Sequence, residues 1–319
     1  MVPLSGPLLS RLEALSPEAL VAITAPSDAT TAEAPSLHWS ADEDGTTEAW
    51  GAAVSLDGEH LDALAPRVRS TLSSLTALSD HDDAPAPRMF GGQCFDPARS
   101  HAHDPAWGRA PRALMVLPTW SRISLGCRSW LQWVGPASAA RSLDWTLPAG
   151  VSAPAAPAAV RAPDPEAQPR WEALVRSALD AMADGAIDKL VGARRVRWSR
   201  PGGWSLAEVL SRLSAQDGAR FALRLAPGVV FVGATPERLV LRRGDTVEVD
   251  ALAGSIPRGV DDPAAIAALL ASAKDRHEHA LVVTFIADGL RSLGLPVSHA
   301  ELPSVRSLPS VHHLWTPIR

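Results

Sequence analysis

The sequence predicts an α+β protein built on large, mostly antiparallel sheets. Its 319 residues are 46% hydrophobic, which is enough to bury a large core. Short apolar runs separated by turn residues, such as the Ala-Pro-Gly turn at 226–228, are typical of neighbouring strands that pair antiparallel. Segments with apolar residues at helical spacing lie between these runs. No period of about 20 to 50 residues repeats, which excludes a solenoid.

Residues 1–146 are predicted to form a strand-rich half. Two stretches with helical spacing in this half indicate helices at 7–15 and 60–75. The remaining apolar runs are short and bounded by turn residues, as strands are. The predicted strands are 20–24, 48–56, 88–95, 113–117 and 130–134.

Residues 147–169 are rich in proline and alanine and contain almost no large apolar side chain. Such a run is predicted to pack neither as a helix nor as a strand, because proline lacks the backbone donor that both require. It is therefore expected to be an exposed connection between residues 1–146 and a second region at 170–319.

The second region begins with apolar residues at helical spacing from Trp171 to Met182, which Gly185 is expected to end. Ser205 and Glu208 form a capping box that opens a further helix to about residue 215. The other predicted elements are strands at 189–198, 220–225, 229–232, 239–241 and 246–251, and helices from 261 and at 273–293.

Charge and cysteine content exclude several classes of function. The net charge is −5 and no run of Lys or Arg exceeds a pair, so neither nucleic acid nor a charged membrane surface is an expected partner. Cys94 and Cys127 lack the spacing of a disulfide framework or a thiolate zinc site. Without a signal peptide or an apolar span, a cytoplasmic location and a small-molecule ligand are expected.

Glu278 is the most informative single residue. On the predicted helix 273–293 the polar arc contains His277 and Asp288, whereas Glu278 shares a stripe with Val282 and Phe285. A carboxylate on a buried stripe needs a cation, because burying it unpaired costs several kcal/mol.

Two cations could satisfy Glu278. Lys274 precedes it by one helical turn and could form an ordinary ion pair. Alternatively, Glu278 could bind Mg²⁺, which accepts one or two carboxylates together with water and substrate oxygens. Helical spacing by itself is compatible with both.

Glu237 and Lys189 each have a structural and a functional interpretation. Thr235, Pro236 and Glu237 could be the N-cap and first turn of a helix, or Glu237 could be a functional carboxylate. Lys189 begins a predicted strand and could be a solvated strand end or a functional amine. The His-Glu-His sequence at 277–279 does not match the zinc motif H-E-x-x-H, and no glycine-rich nucleotide motif is present.

Six segments in order resemble the chorismate-utilising enzymes, a family that includes isochorismate synthase, salicylate synthase, anthranilate synthase component I and aminodeoxychorismate synthase. The resemblance spans nearly the whole chain and implies the α/β/α fold of that family, with antiparallel sheets around a central site for chorismate. The segments are FGGQCFD at 90–96, DKLVGAR at 188–194, FVGATPERL at 231–239, DALAGSIPRG at 250–259, residues 274–283 and VHHLWT at 311–316.

The resemblance also implies roles for individual residues. Lys189 matches the general base that activates water for attack on the ring, and Glu237 matches the acid that protonates the departing hydroxyl group. Glu278 matches a ligand of Mg²⁺, the implied cofactor, which holds the ring carboxylate of the substrate. The implied substrate-binding residues are Ala253, Gly254, Ser255 and His313.

Ala253 narrows the choice within the family. Aminodeoxychorismate synthases with a lysine nucleophile carry Lys at this position, whereas DALAG at 250–254 resembles the form in isochorismate synthases. The resemblance therefore implies water as the nucleophile and isochorismate as the product, for menaquinone or siderophore biosynthesis. Salicylate synthase and anthranilate synthase component I are the alternatives.

The family pattern continues beyond the histidine motif, whereas this sequence ends at Arg319. The continuation carries a second magnesium-binding glutamate and an arginine for the substrate carboxylates. The chain is therefore expected to be a fragment of a longer protein or a decayed copy, and the full-length protein is expected to be a monomer. A non-catalytic remnant that binds a partner is the alternative from another class of function.

Overall fold

The structure is a computed structural model that describes residues 4–27, 35–41, 45–96, 98, 104, 107–147, 157–213 and 218–319. Helices lie between runs of mostly antiparallel strands along the chain, which confirms the predicted α+β class. The helices are α1 (Gly6–Glu13), α2 (Leu61–Ser74), α3 (Ala137–Ala140), α4 (Ala167–Ala183), α5 (Leu206–Leu213), α6 (Asp262–Ala271) and α7 (Ala273–Ser292).

The strands divide among four sheets in the described residues. They are β1 (Leu20–Pro26), β2 (Leu37–Ala41), β3 (Gly45–Trp50), β4 (Val54–Gly58), β5 (Thr76–Leu78), β6 (Phe90–Gln93), β7 (Ala113–Leu117), β8 (Trp120–Leu125), β9 (Arg128–Pro136), β10 (Val160–Arg161), β11 (Trp198–Ser199), β12 (Ala219–Ala226), β13 (Val229–Thr235), β14 (Leu241–Arg243), β15 (Thr246–Pro257), β16 (Ser304–Ser307) and β17 (Val311–Ile318).

The chain forms two compact units, residues 1–153 with 205–234, and residues 154–204 with 235–319. In the first unit the larger sheet has the order β13-β12-β2-β3-β8-β9-β1-β5, with β1 and β5 parallel. Helix α1 covers it by packing Leu8 and Leu12 against Val21, Ile23 and other apolar residues of the core. A smaller sheet, β4-β7-β6, packs against α2.

The second unit is built on the antiparallel sheet β14-β15-β17-β16. Alternate side chains of β17, from His312 to Ile318, are buried, which is the period expected of a strand with one covered face. Helix α7 packs on β15 and β17, where Val283 joins Ala251 and Ile318 in a small apolar core. This arrangement places the N-terminal half of α7 beside the middle of β15.

The segment 205–234 departs from the expected organisation. It was predicted as part of the region 170–319, but β12 pairs with β2 and so joins the sheet of the first unit. This pairing joins strands that are far apart in sequence, which composition along the chain does not reveal. The connection at 147–169 stays a prediction as a domain boundary.

Three local predictions were wrong. Residues 48–56 are not one strand, because the chain turns at Gly51, with φ +69°, and β3 and β4 then enter different sheets. Residues 189–197 form neither helix nor strand: Val191 is 83% exposed and no ladder supports this stretch. Within 157–169, β10 pairs with β11 and α4 begins, so this part of the proline-rich run does pack.

Other expectations were confirmed in the described residues. Helix α4 ends just before Gly185, which adopts φ +70°. Ser205 accepts a hydrogen bond from the Glu208 amide at the start of α5, 3.4 Å away. None of the helices there combines the length and the apolar character that crossing a bilayer requires.

Candidate active site

The centre of the candidate site is a bulge in β15. The ladder between β15 and β17 shifts register between Leu252 and Ser255. Gly254 lies in this bulge with φ +79°, and a Cβ atom added there would lie 3.0 Å from the Cβ of Asp275 and 3.2 Å from Leu314. Glycine is therefore needed at this position both for the backbone conformation and for the close approach of α7.

We expect Gly254→Ala to lower the free energy of unfolding by about 1–2 kcal/mol, the cost of a left-handed backbone for an alanine. Urea denaturation followed by circular dichroism measures the change. Gly259→Ala is the matched control, because Gly259 lacks a positive φ and has no atom within 4 Å of the added Cβ. Equal stabilities of the two variants would contradict this account of the bulge.

His279 connects α7 to the bulge and is buried. Its Nδ1 lies 3.2 Å from the carbonyl oxygen of Ala253, which can only accept, so Nδ1 carries the proton. The pKa of His279 is lowered, mainly because the side chain is buried. The hydrogen bond to the Ala253 carbonyl raises this pKa, and the charge of Lys189 lowers it further. A neutral His279 then accepts from the Thr316 hydroxyl at 2.8 Å. Both ring nitrogens of His279 thus make hydrogen bonds that link α7 to the sheet.

Lys189 lies over the first half of α7. Its Nζ donates a hydrogen bond of 3.5 Å to the backbone oxygen of Glu278, and the side chain is partly buried. The interpretation of Lys189 as a solvated strand end was wrong, because the surrounding residues form no strand and the amine packs against a helix. The structure therefore brings Lys189, Glu278 and, through His279, Ala253 together.

Glu278 is less buried than the sequence predicted. Its side chain is 39% exposed, and Oε1 lies 3.6 Å from the Nζ of Lys274. The buried stripe of α7 runs through His279, Val283 and Ala287, which leaves Phe285 81% exposed on the other side. Successive helical residues lie about 100° apart, so the face against the sheet begins one residue later than expected. The ion pair with Lys274 is present in the structure.

The fit of Glu278 to a metal ion can be judged from its donor set. No group of three or more His, Cys, Asp or Glu side chains converges on a metal position in the part of the chain that the structure describes. Glu278 supplies one carboxylate, which faces a largely exposed lysine. Mg²⁺ commonly takes one or two carboxylates and completes its shell with water and substrate oxygens. Glu278 therefore fits the role of one ligand, not of a complete protein site.

Ser255 and His313 form a pair across the β15–β17 ladder. The Ser255 Oγ lies 2.6 Å from the His313 Nδ1, directly beside the bulge. Burial is the main cause that lowers the pKa of His313, whereas the Gly254 carbonyl and the charge of Glu237 raise it. Four of the predicted residues, Ala253, Gly254, Ser255 and His313, thus lie together.

Glu237 does not begin a helix. Thr235 is the last residue of β13, and its Oγ1 accepts from the Glu237 amide at 3.1 Å in a local turn. The helix start indicated by Thr-Pro-Glu was therefore wrong. The Thr235 hydroxyl accepts from the amide two residues later and so forms a local turn instead of capping a helix. The Glu237 side chain is exposed, and its negative charge raises the pKa of His313.

A partly buried charge network that includes Arg238 was missed. Glu248 and Asp250 lie two residues apart on β15 and share one face, where Arg238 pairs with both. The Trp315 Nε1 donates to Asp250 at 2.9 Å, and Arg319 donates to Glu248 at 2.7 Å. The pKa of Glu248 is lowered, mainly by the hydrogen bond from Arg319. The hydrogen bond and the positive charge of Arg238 lower it further. Alternating carboxylates on a predicted strand were the signal that could have found it.

A groove of about 560 Å³ lies elsewhere in the second unit. It is bounded by Arg161, Arg170, Trp171 and the stretch 193–197, and the predicted site residues do not line it. The candidate site is instead an open cluster at the bulge, in which Ser255 and Glu237 are exposed.

Comparison with known proteins agrees with the motifs. Residues 10–319 match the family model described as chorismate binding enzyme. The chain is 34% identical over 305 residues to the salicylate biosynthesis isochorismate synthase of Pseudomonas aeruginosa, covering 90% of this chain and 63% of that protein. It is 35% identical over 156 residues to the isochorismate synthase DhbC of Bacillus subtilis, covering 46% of this chain and 39% of that protein.

A solved structure shares the fold. MenF, the menaquinone-specific isochorismate synthase from Escherichia coli, superimposes with a TM-score of 0.73 and 22% identity over 98% of this chain and 73% of that chain. The chain covers 63% of the length of the Pseudomonas relative and 39% of the length of the Bacillus relative, which is less than two thirds of either. Because the family model matches residues 10–319 and the Pseudomonas relative matches 90% of the sequence, the chain belongs to the chorismate-binding enzyme family.

Proposed function

We propose that this chain carries catalytic residues of an isochorismate synthase, which converts chorismate to isochorismate. The observation that carries the proposal is the gathering of the predicted residues around the β15 bulge, in a chain 34% identical to a protein named for that activity. The relatives named above are salicylate, menaquinone and DhbC-type isochorismate synthases. The proposed pathways for the product are menaquinone and salicylate biosynthesis, after these relatives, and siderophore biosynthesis, after the family resemblance.

The proposed reaction adds one hydroxyl group to the ring and expels another. Lys189, held against α7, takes a proton from water as the water oxygen bonds to a ring carbon. The ring double bonds shift as the hydroxyl group on another ring carbon leaves, and Glu237 gives that group a proton so that it departs as water. Proton exchange with solvent restores both residues, so the reaction is an isomerisation without an oxidant or reductant.

The remaining residues bind and orient the ring. Gly254 lets the substrate approach the backbone of the bulge, and the Ser255–His313 pair offers polar groups beside it. Glu278 would be one ligand of Mg²⁺, the proposed cofactor, with the shell completed by water and a carboxylate of the substrate. When bound, the ion would supply positive charge for that carboxylate. The proposed substrate is chorismate.

The test is an incubation of chorismate and Mg²⁺ with the 319-residue chain and with any longer reading frame that contains it. We expect isochorismate to form without ammonia or glutamine, measured by liquid chromatography. Anthranilate formed only with ammonia, or salicylate formed together with pyruvate, would reassign the reaction to one of the two alternatives. No product from either protein would favour the non-catalytic remnant.

A further inference from the structure

The segment that carries Glu237 is not held by apolar packing. Residues 236–240 form neither helix nor strand, and the Leu239 side chain is 87% exposed. The local turn between Thr235 and Glu237 restrains only two residues. Another contact must hold Glu237 in place, because an exposed loop without buried apolar side chains is normally mobile.

Arg238 is the residue that ties this segment to the sheet. Its Nη2 pairs with the Oε1 of Glu248, and its Nε lies 3.5 Å from the Oδ2 of Asp250. A planar guanidinium group can engage two carboxylates at once, which a lysine ammonium does less well. Asp250 is itself fixed, since its side chain is almost fully buried and bonded to Trp315. The anchor is therefore rigid on the side of the sheet.

We propose that Arg238 is a positioning residue that holds Glu237 within electrostatic range of His313 through its ion pairs with Glu248 and Asp250. The catalytic meaning of this placement rests on the proposed function, whereas the ion pairs of Arg238 do not. The network also indicates that Arg238 can be replaced without leaving Glu248 or Asp250 unpaired. Arg319 still pairs with Glu248, and Arg306 lies 3.7 Å from Asp250.

The test reads the titration of His313 by nuclear magnetic resonance, with its signal assigned from a His313→Gln variant. The charged or titratable groups that act on His313 are Glu237, Arg306 and His312. Glu237→Gln should lower the pKa of His313, because it removes a negative charge that raises it. Arg238→Met should lower this pKa by a similar amount, and the double variant should lower it no further.

The direction of the change separates the proposal from a simple charge effect. Loss of the Arg238 cation alone would raise the pKa of a nearby histidine, whereas displacement of Glu237 lowers it. An unchanged or raised pKa in Arg238→Met would overturn the proposal, as would additive shifts in the double variant. Arg242→Met is the matched control, because Arg242 lies on exposed β14 and donates to the Gly244 carbonyl; it should leave His313 unchanged. If Arg238→Met fails to fold, Arg238→Lys should give a partial shift.

A kinetic measurement addresses the catalytic role separately. In a preparation that converts chorismate, Arg238→Met should lower kcat with little change in KM, and Arg238→Lys should recover part of the loss. An unchanged kcat would overturn the catalytic part of the proposal. If the unaltered protein makes no isochorismate, the proposed function fails, while the titration of His313 still decides whether Arg238 positions Glu237.

Discussion

Replacing Lys189 by alanine is expected to lower kcat for isochorismate formation by about 10²- to 10⁴-fold, the usual contribution of a general base. The amine lies against the Glu278 carbonyl on α7 and contributes little to the core, so the fold should survive. Glu237→Gln should cause a loss of similar size, because glutamine cannot donate the proton that the departing hydroxyl group needs. Steady-state kinetics with chorismate measures both.

Lys274→Ala is the matched control for Lys189. Both lysines lie near Glu278, but Lys274 is largely exposed and is not expected to face the ring. It should change kcat by less than about threefold, since exposed ion pairs contribute only about 0.2–1 kcal/mol. Equal losses of kcat in Lys189→Ala and Lys274→Ala would contradict the role of Lys189 as a general base. They would show that the reaction depends only on positive charge near α7.

Replacing Glu278 by glutamine is expected to raise the Mg²⁺ concentration needed for half-maximal activity by about tenfold or more, and to raise KM for chorismate. Glutamine keeps the shape of the side chain but loses the negative charge that a cation requires. A magnesium titration at fixed chorismate measures the first effect. Lys274→Met should leave both quantities nearly unchanged, although it removes the ion pair with Glu278.

The structural interpretation of Glu278 gives a different result. If the carboxylate serves only Lys274, the two substitutions should be coupled in the free energy of unfolding and the magnesium titration should not move. The pair is exposed, so that coupling would be a few tenths of a kcal/mol. That pattern would remove Glu278 from the set of site residues.

Much of the fold could be predicted because its signals are local. The strand 113–117 matches β7, and the helix predicted at 273–293 matches α7 within one residue. Turn residues, apolar periodicity and a serine cap are properties of short stretches of chain. Ser272, for example, accepts from the Asp275 amide at the start of α7, which is an interaction within four residues.

The candidate residues were identified by motif, and their arrangement was not. Family resemblance named Lys189, Glu237, Glu278 and His313, whose proposed roles stay predictions. It did not name Arg238 or Asp250 as partners, because their pairing joins a loop to a strand whose register is set by β17. Helical spacing likewise could not decide which face of α7 meets the sheet.

The sequence by itself determined the family, the α+β class, the positions of most helices and strands, and the glycine that ends α4. Tertiary structure decided whether residues 189–197 find a partner strand, which sheet receives β12, and how far Glu278 is buried. The reason is physical: backbone conformation and periodicity depend on near neighbours in sequence. Strand pairing and burial depend on residues that are remote in sequence and adjacent only after folding.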